Sequence, residues 1–343
     1  MEVKTTWEYS LETEATRLIH CAHQMAVGFY HVNNFIVLPY NSRPNNALTA
    51  TFPNLPYRII PRFWEKAKRV NTYDFPIKVE SCFLEQTKNL LVKANLPQPE
   101  FQKTKQLWQK AQNEIIEAIY KIMPAKKNLI KEIIIHPTIF GTSCSFGFIT
   151  KDGKIEMYLR EGLGIQTITE AVVTSLTRFD VYKNLGGLWQ ESELLTDWLV
   201  THSSIAVVLK KYDHRSNFVS TLKGIRTKQQ ARLLKESDEF YKKLGLSGKE
   251  KVFEAKNGVV TTYGKPFENL TAKETEILKL LVKNQNKVVT TDDLADSVFA
   301  SYDDFSLYAI SKTIERLRNK FEANGISGSY IQTLRGQGFI LKN

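Results

Sequence analysis

From Leu11 to Met25 the apolar residues Leu11, Ala15, Leu18, Ile19, Ala22 and Met25 recur close to every 3.6 positions, which predicts a helix over about 10–30. A short apolar run, Phe35 to Leu38, predicts a strand. Pro39, Pro44, Pro53, Pro56 and Pro61 then interrupt any long element, because proline lacks an N–H and cannot continue a helix. Helical spacing resumes at Arg62 to Arg69 and Phe83 to Ala94, and after the breaker Leu96-Pro97-Gln98-Pro99 a long amphipathic helix is predicted from Glu100 to Ile122. The pattern next changes to strands, at Glu132 to Ile135, Ser145 to Thr150 and Ile155 to Arg160, with Lys151-Asp152-Gly153-Lys154 turning between the last two. Helices follow at Ile165 to Arg178 and Glu191 to His202. A basic helical segment then runs from about Lys223 to Leu244 and ends at Gly245 and Gly248.

Beyond Lys251 the elements are shorter. Strands are predicted at Val252 to Ala255, Val259 to Thr262 and Lys265 to Phe267. Thr271 with Glu274 three positions on is a capping box for a helix whose apolar face is Ile277, Leu278, Leu281 and Val282. Thr290 or Thr291 caps a second helix through Leu294 to Val298, and a loop, Ala300 to Phe305, leads to a third, Ser306 to Ala323. In that third helix Ile310, Ile314, Leu317 and Phe321 share one face, which turns Lys312, Thr313, Arg316 and Asn319 away from it. The chain closes on Tyr330 to Leu341, a β-hairpin with Arg335 at its bend. A helix followed by a hairpin with a basic tip is the geometry of a winged helix, whose two parts reach neighbouring grooves of one duplex.

These residues carry a family resemblance. About Lys251 to Asn343 is similar to the OmpR/PhoB-type winged-helix domain of bacterial response regulators: Leu270-Thr271, Glu274, Ile277-Leu278 and Asn284 match its first helix. Ile314-Glu315-Arg316-Leu317-Arg318-Asn319-Lys320-Phe321 matches its recognition helix, and Ile331-Gln332-Thr333-Leu334-Arg335-Gly336-Gln337-Gly338-Phe339 its wing. The resemblance implies that Lys312 and Arg316 face the major groove, that Thr313, Arg318 and Thr333 contact phosphates, and that Arg335 enters the minor groove. In activators of this family the loop before the recognition helix can meet RNA polymerase; here Asp303 and Asp304 make it acidic, and a solvated connector is the other reading, while a homodimer is one assembly open to the chain. Glu315 departs from the family pattern, which more often has a basic or polar residue there.

Composition narrows the rest. With 42% hydrophobic and 24% charged residues the chain is globular, and 343 residues suffice for two or three domains with cores of their own. The net charge of +11 suits a polyanion. It is not concentrated in the C-terminal domain: Gly258 to Asn343 carries 11 basic against 10 acidic residues, whereas Ile205 to Lys256 carries 13 against 6. Cys21, Cys82 and Cys144 are too few and too scattered for a disulfide framework or zinc knuckle. No apolar run approaches the ~20 residues of a membrane helix, and the start has no leader pattern, so a cytoplasmic protein off the membrane is expected.

No catalytic constellation emerges, so no enzyme activity, metal or other cofactor is expected. The first fifty residues contain no Asp, so the acidic pocket of a receiver domain, which accepts phosphate in this family, is not expected at the start. Ile168 to Leu176 with Trp189 to Glu193 looks like a zinc-peptidase core without its two histidines and catalytic glutamate; an amphipathic helix burying Ile168, Val172, Val173 and Leu176 is the simpler reading. His20 and His23 lie one turn apart but lack an identifiable third ligand. The expected architecture is α+β: a mixed sensor or partner-binding domain over 1–222, a basic helical connector over 223–250, and a winged helix-turn-helix over 251–343 that binds double-stranded DNA as a transcription regulator. Two rival readings remain at this point, a hydrolase-like N-terminal enzyme tethered by the winged helix and a winged helix used as a protein-interaction module.

Overall fold

The computed structural model describes residues 3–42, 49–72, 74–185, 187, 189–213, 228–246, 251–298 and 307–343. In chain order the first elements are β1 (Lys4–Trp7), α1 (Leu11–Ala26), α2 (Phe29–Val32), β2 (Ile36–Pro39), β3 (Thr49–Phe52), α3 (Phe63–Lys68), α4 (Ser81–Ala94) and α5 (Gln102–Ile122). Then come β4 (Glu132–Thr138), β5 (Cys144–Phe146), β6 (Lys154–Arg160), α6 (Ile165–Phe179), α7 (Trp189–His202), α8 (Ser204–Tyr212) and α9 (Lys228–Lys243). The last are β7 (Phe253–Lys256), β8 (Val259–Thr262), β9 (Lys265–Pro266), α10 (Ala272–Lys283), α11 (Thr291–Val298), α12 (Leu307–Ala323), β10 (Ile331–Leu334) and β11 (Gly338–Leu341). The mixed α+β class is the observed one.

The chain divides into two compact units, residues 1–23 with 36–240 and residues 24–35 with 241–343. In the first, a four-stranded sheet is ordered β1-β4-β6-β5. The first three strands are parallel, and β5 runs antiparallel to β6, pairing Phe146 with Met157. Parallel strands need helices on their faces, and the apolar sides of α5, α6 and α8 supply that cover. Trp108, Ile115, Ile119, Ile168, Val172 and Leu209 join Ile133, Ile135, Ile155 and Met157 in one core. A separate parallel pair, β2 with β3, is joined to the 139–141 turn by a bridge between Thr51 and Gly141.

Ile168, Val172, Val173 and Leu176 are all buried, as an amphipathic helix requires. His23 is held by the Ala67 carbonyl through Nδ1 (2.9 Å), and His20 Nδ1 lies 3.5 Å from Arg17 Nη1, whose positive charge opposes a cation there. Among the described residues no three His, Cys, Asp or Glu side chains are grouped to hold a metal, and no helix is long and apolar enough to cross a membrane.

The second unit corrects the expected boundaries at 222 and 250. Residues 24–35 belong with the C-terminal domain, because the Val27 carbonyl accepts the Ser327 N–H (2.7 Å) and Val32 enters the C-terminal core beside Phe253, Phe321 and Tyr330. The expected connector is not a spacer either. In α9 the side chains of Phe240 and Tyr241 are buried, as is Leu244 just beyond it, and the division falls within that helix. Around this core the antiparallel meander β7-β8-β9, helices α10 to α12 and the hairpin β10-β11 follow each other as the sequence pattern predicts. The loop with Asp303 and Asp304, and Gly248, lie outside the described residues.

Candidate nucleic-acid interface

Helix α10 is the anchor of the C-terminal unit. Its capping box is formed in both directions, the Glu274 N–H donating to Thr271 Oγ1 (3.4 Å) and the Thr271 N–H donating to Glu274 Oε2 (2.7 Å). The same carboxylate accepts from Lys320 Nζ at 2.6 Å, so the first turn of α10 grips the last turns of α12. Burial pushes the Glu274 pKa up, but the Lys320 ammonium and the Thr271 N–H outweigh it and hold the carboxyl below its usual range.

With Ile310, Ile314, Leu317 and Phe321 fully buried, α12 must show its opposite side to solvent. Tyr308, Ser311, Lys312, Glu315, Arg316 and Asn319 make up that outer stripe. Lys312 Nζ pairs with Glu315 Oε2 at 2.7 Å, which raises the lysine pKa. Arg316 is exposed and has no ion-pair partner among the described residues. The Thr313 hydroxyl is turned back along the helix and donates to the Ala309 carbonyl (2.8 Å).

Arg318 points sideways, toward the hairpin. Its Nε and Nη2 both donate to the Ile331 carbonyl (3.0 and 2.8 Å), and Nη2 also donates to Thr333 Oγ1 (2.8 Å). The guanidinium is largely buried, and burial lowers its pKa from the usual value while Glu315 raises it. Arg318 and Thr333, both read from the family resemblance as phosphate contacts, are thus engaged with each other. The residues between helix and hairpin are fixed from a second side, where Glu322 Oε1 accepts the Gly328 N–H at 2.6 Å.

The hairpin pairs Ile331 with Leu341 and Leu334 with Gly338, leaving Arg335, Gly336 and Gln337 as its exposed tip. At its base Val289 and Phe339 exchange two backbone hydrogen bonds (2.8 and 2.9 Å). Gly338 has φ +140°, and a Cβ there would stand 2.1 Å from the Val289 carbonyl oxygen, so this close approach admits only glycine. Lys312, Arg316 and Arg335 are thereby carried on one rigid element pair, while Arg318 and Thr333 fasten the two parts. Tyr308, 71% exposed at the head of the stripe, belongs to none of the matching motifs; its spacing of four from Lys312 is the signal the sequence offers.

Residues 264–341 match the family model described as Transcriptional regulatory protein, C terminal. Among curated relatives, Protein RcaC of Microchaete diplosiphon is 36% identical over 83 residues, which are 24% of this chain and 13% of that protein. Sensory transduction protein BceR of Halalkalibacterium halodurans is 37% identical over 73 residues, 21% of this chain and 31% of that protein. The chain therefore spans less than a third of the length of these relatives. A solved structure, the DNA-binding domain of the response regulator AdeR in complex with an intercistronic region, is 25% identical over 28% of this chain and 97% of that one, with a TM-score of 0.24. The C-terminal segment is of the OmpR/PhoB type, as its sequence motifs indicate.

Proposed function

We propose that this chain is a transcription regulator that reads double-stranded DNA with the outer stripe of α12 in the major groove and the 335–337 tip in the adjacent minor groove. The observation that carries this reading is the fixed pairing of the two parts: α12 exposes Lys312 and Arg316 while Arg318 locks the hairpin beside it. Arg316 is placed to donate bidentately to guanine O6 and N7. Arg335 supplies positive charge to a narrow groove, where the negative potential is greatest. Thr333 reaches a phosphate only with the proton of a hydroxyl whose oxygen already accepts from Arg318, and Thr313 only by giving up its bond to Ala309. The first unit, which lies outside the residues matched by the family model, takes the role of the part that receives a signal or partner.

The test is a titration of the full chain and of Arg316→Ala against its selected duplex and a random duplex at fixed salt. Loss of a bidentate contact should weaken specific binding by ~1–3 kcal/mol and random binding much less. Equal losses on both would make Arg316 a phosphate contact, and no binding of the full chain to any duplex at low salt would sink the DNA-reading assignment.

A further inference from the structure

A carboxylate in the middle of a surface that must meet a polyanion calls for a reason. Glu315 occupies that place: it lies on the outer stripe of α12 between Lys312 and Asn319, and its side chain is 57% exposed while it pairs with Lys312. An exposed pair of this spacing stabilises a helix only weakly, and although Glu315 also favours the charged form of Arg318, it neutralises one of the two cations on the stripe. Against phosphates Glu315 is repulsive. Against base edges its effect depends on the base.

An ionised carboxylate accepts hydrogen bonds and donates none. In the major groove guanine offers N7 and O6, both acceptors, and thymine offers the O4 acceptor and a methyl group; neither can satisfy a buried carboxylate. Adenine has an N6 donor beside the N7 acceptor, so attraction and repulsion meet there. Cytosine alone offers its N4 donor with no acceptor on the same edge. The spacing permits direct reading: three residues on a helix rise about 4.5 Å, slightly more than one base-pair step of about 3.4 Å. Lys312 and Glu315 can therefore address neighbouring base pairs once DNA replaces their mutual contact, the lysine donating to guanine and the glutamate accepting from cytosine.

We propose that Glu315 is a specificity-determining residue that accepts from cytosine N4 in the major groove and rejects guanine and thymine at that position. This rests on the DNA-reading assignment above. It adds exclusion to attraction: the carboxylate lowers affinity for most sequences and thereby widens the gap between the right site and the rest.

The experiment is selection from a pool of randomised duplexes with full-length wild type, Glu315→Gln and Glu315→Ala, followed by titration on the selected site at several salt concentrations. Wild type should enrich a motif with cytosine at one fixed position. Glu315→Gln should shift that position toward adenine, because a glutamine amide pairs bidentately with N6 and N7. Glu315→Ala should lose preference there by about tenfold while the rest of the motif is kept. Its binding to random duplexes should rise severalfold, with a salt slope steeper by about one as Lys312 becomes available to a phosphate. If both variants return the wild-type motif with cytosine retained, Glu315 is only the intrahelical partner of Lys312 and the proposal is overturned. If wild type binds no duplex or enriches no motif, the DNA-reading assignment itself has failed and this inference fails with it. The retained remainder of the motif shows that each variant is folded.

Discussion

At the scale of single residues, Arg318 separates two roles that the sequence cannot distinguish. A phosphate contact needs only a cation at the right place, whereas a clamp needs the planar fork that reaches the Ile331 carbonyl and the Thr333 hydroxyl together. Removing the fork leaves the Ile331 carbonyl without its charged donor, and bonds of that kind are worth about 1.5–3 kcal/mol. Arg318→Ala should therefore destabilise the C-terminal unit by roughly that amount in the absence of DNA. Amide exchange in the hairpin, followed without DNA, should accelerate. Arg318→Lys should recover little of this, since an ammonium is a compact charge with no fixed fork. A lysine variant with normal exchange and near-normal DNA affinity would return Arg318 to the phosphate-contact class.

At the scale of elements, what could be read in advance was what is encoded locally. The Thr271 and Glu274 capping box, the 3.6-residue period of Ile310, Ile314, Leu317 and Phe321, and the glycine-bearing hairpin all lie within a few residues of the features they specify. The strands Lys4–Trp7 and Thr49–Phe52 were not legible, because each is only four residues long, too short for a period to stand out. Their pairing is not written locally: Thr5 pairs with the distant Ile133, and β3 lies parallel to β2, with Thr49 opposite Ile36. The site residues were legible by type and the orientation of Arg318 and Thr333 was not, since it depends on where the hairpin folds back. Nothing local marked residues 24–35 as part of the C-terminal unit. That contact depends on Gly28, which has φ +80° and whose added Cβ would stand 2.5 Å from Tyr330 Oη. Gly28→Ala should cost about 1–2 kcal/mol for the left-handed backbone alone, with the steric conflict in addition. The measurement is exchange of the Ser327 N–H, which should quicken with loss of its bond to the Val27 carbonyl. Unchanged exchange at Ser327 would show that residues 24–35 do not brace the junction between α12 and the hairpin.

For the whole molecule, the two units should answer pH through different carboxyl groups. Burial pushes Glu14 up from 4.5 to about 7, with the Ile139 N–H, the Thr138 hydroxyl and Arg17 opposing and Glu161 adding to the rise. Glu170 is likewise raised to about 7 by burial, with Gln166 opposing and Asp197 and Glu193 adding to the rise. A carboxyl whose folded pKa is raised binds its proton more tightly in the native state, so the stability it contributes is full below about 4.5 and is lost as pH rises toward 7. For Glu14, only 4% exposed, that loss is about 3 kcal/mol at 1.36 kcal/mol per pKa unit. His20 and His23 act in the opposite sense, since burial lowers both and their contribution is lost as pH falls below about 6.5. The net slope of the first unit is therefore a sum of opposing trends, and comparison with one variant isolates the carboxyl. Relative to Glu14→Gln, the wild-type first unit should lose stability steadily from pH 5 to 7.5 and then run parallel to it. Protection of the buried amides in β4 and β6, measured by hydrogen exchange, gives the difference directly. The second unit serves as the internal reference because the substitution leaves its own carboxyls unchanged, both Glu274, held low, and Glu322 of α12, raised by burial. Amides of α12 should show no difference between wild type and variant across the same range. Parallel profiles for β4 and β6 from pH 5 to 8 would mean that Glu14 ionises in the folded chain as easily as in the unfolded one, and that its carboxyl is not shielded from water as the structure shows.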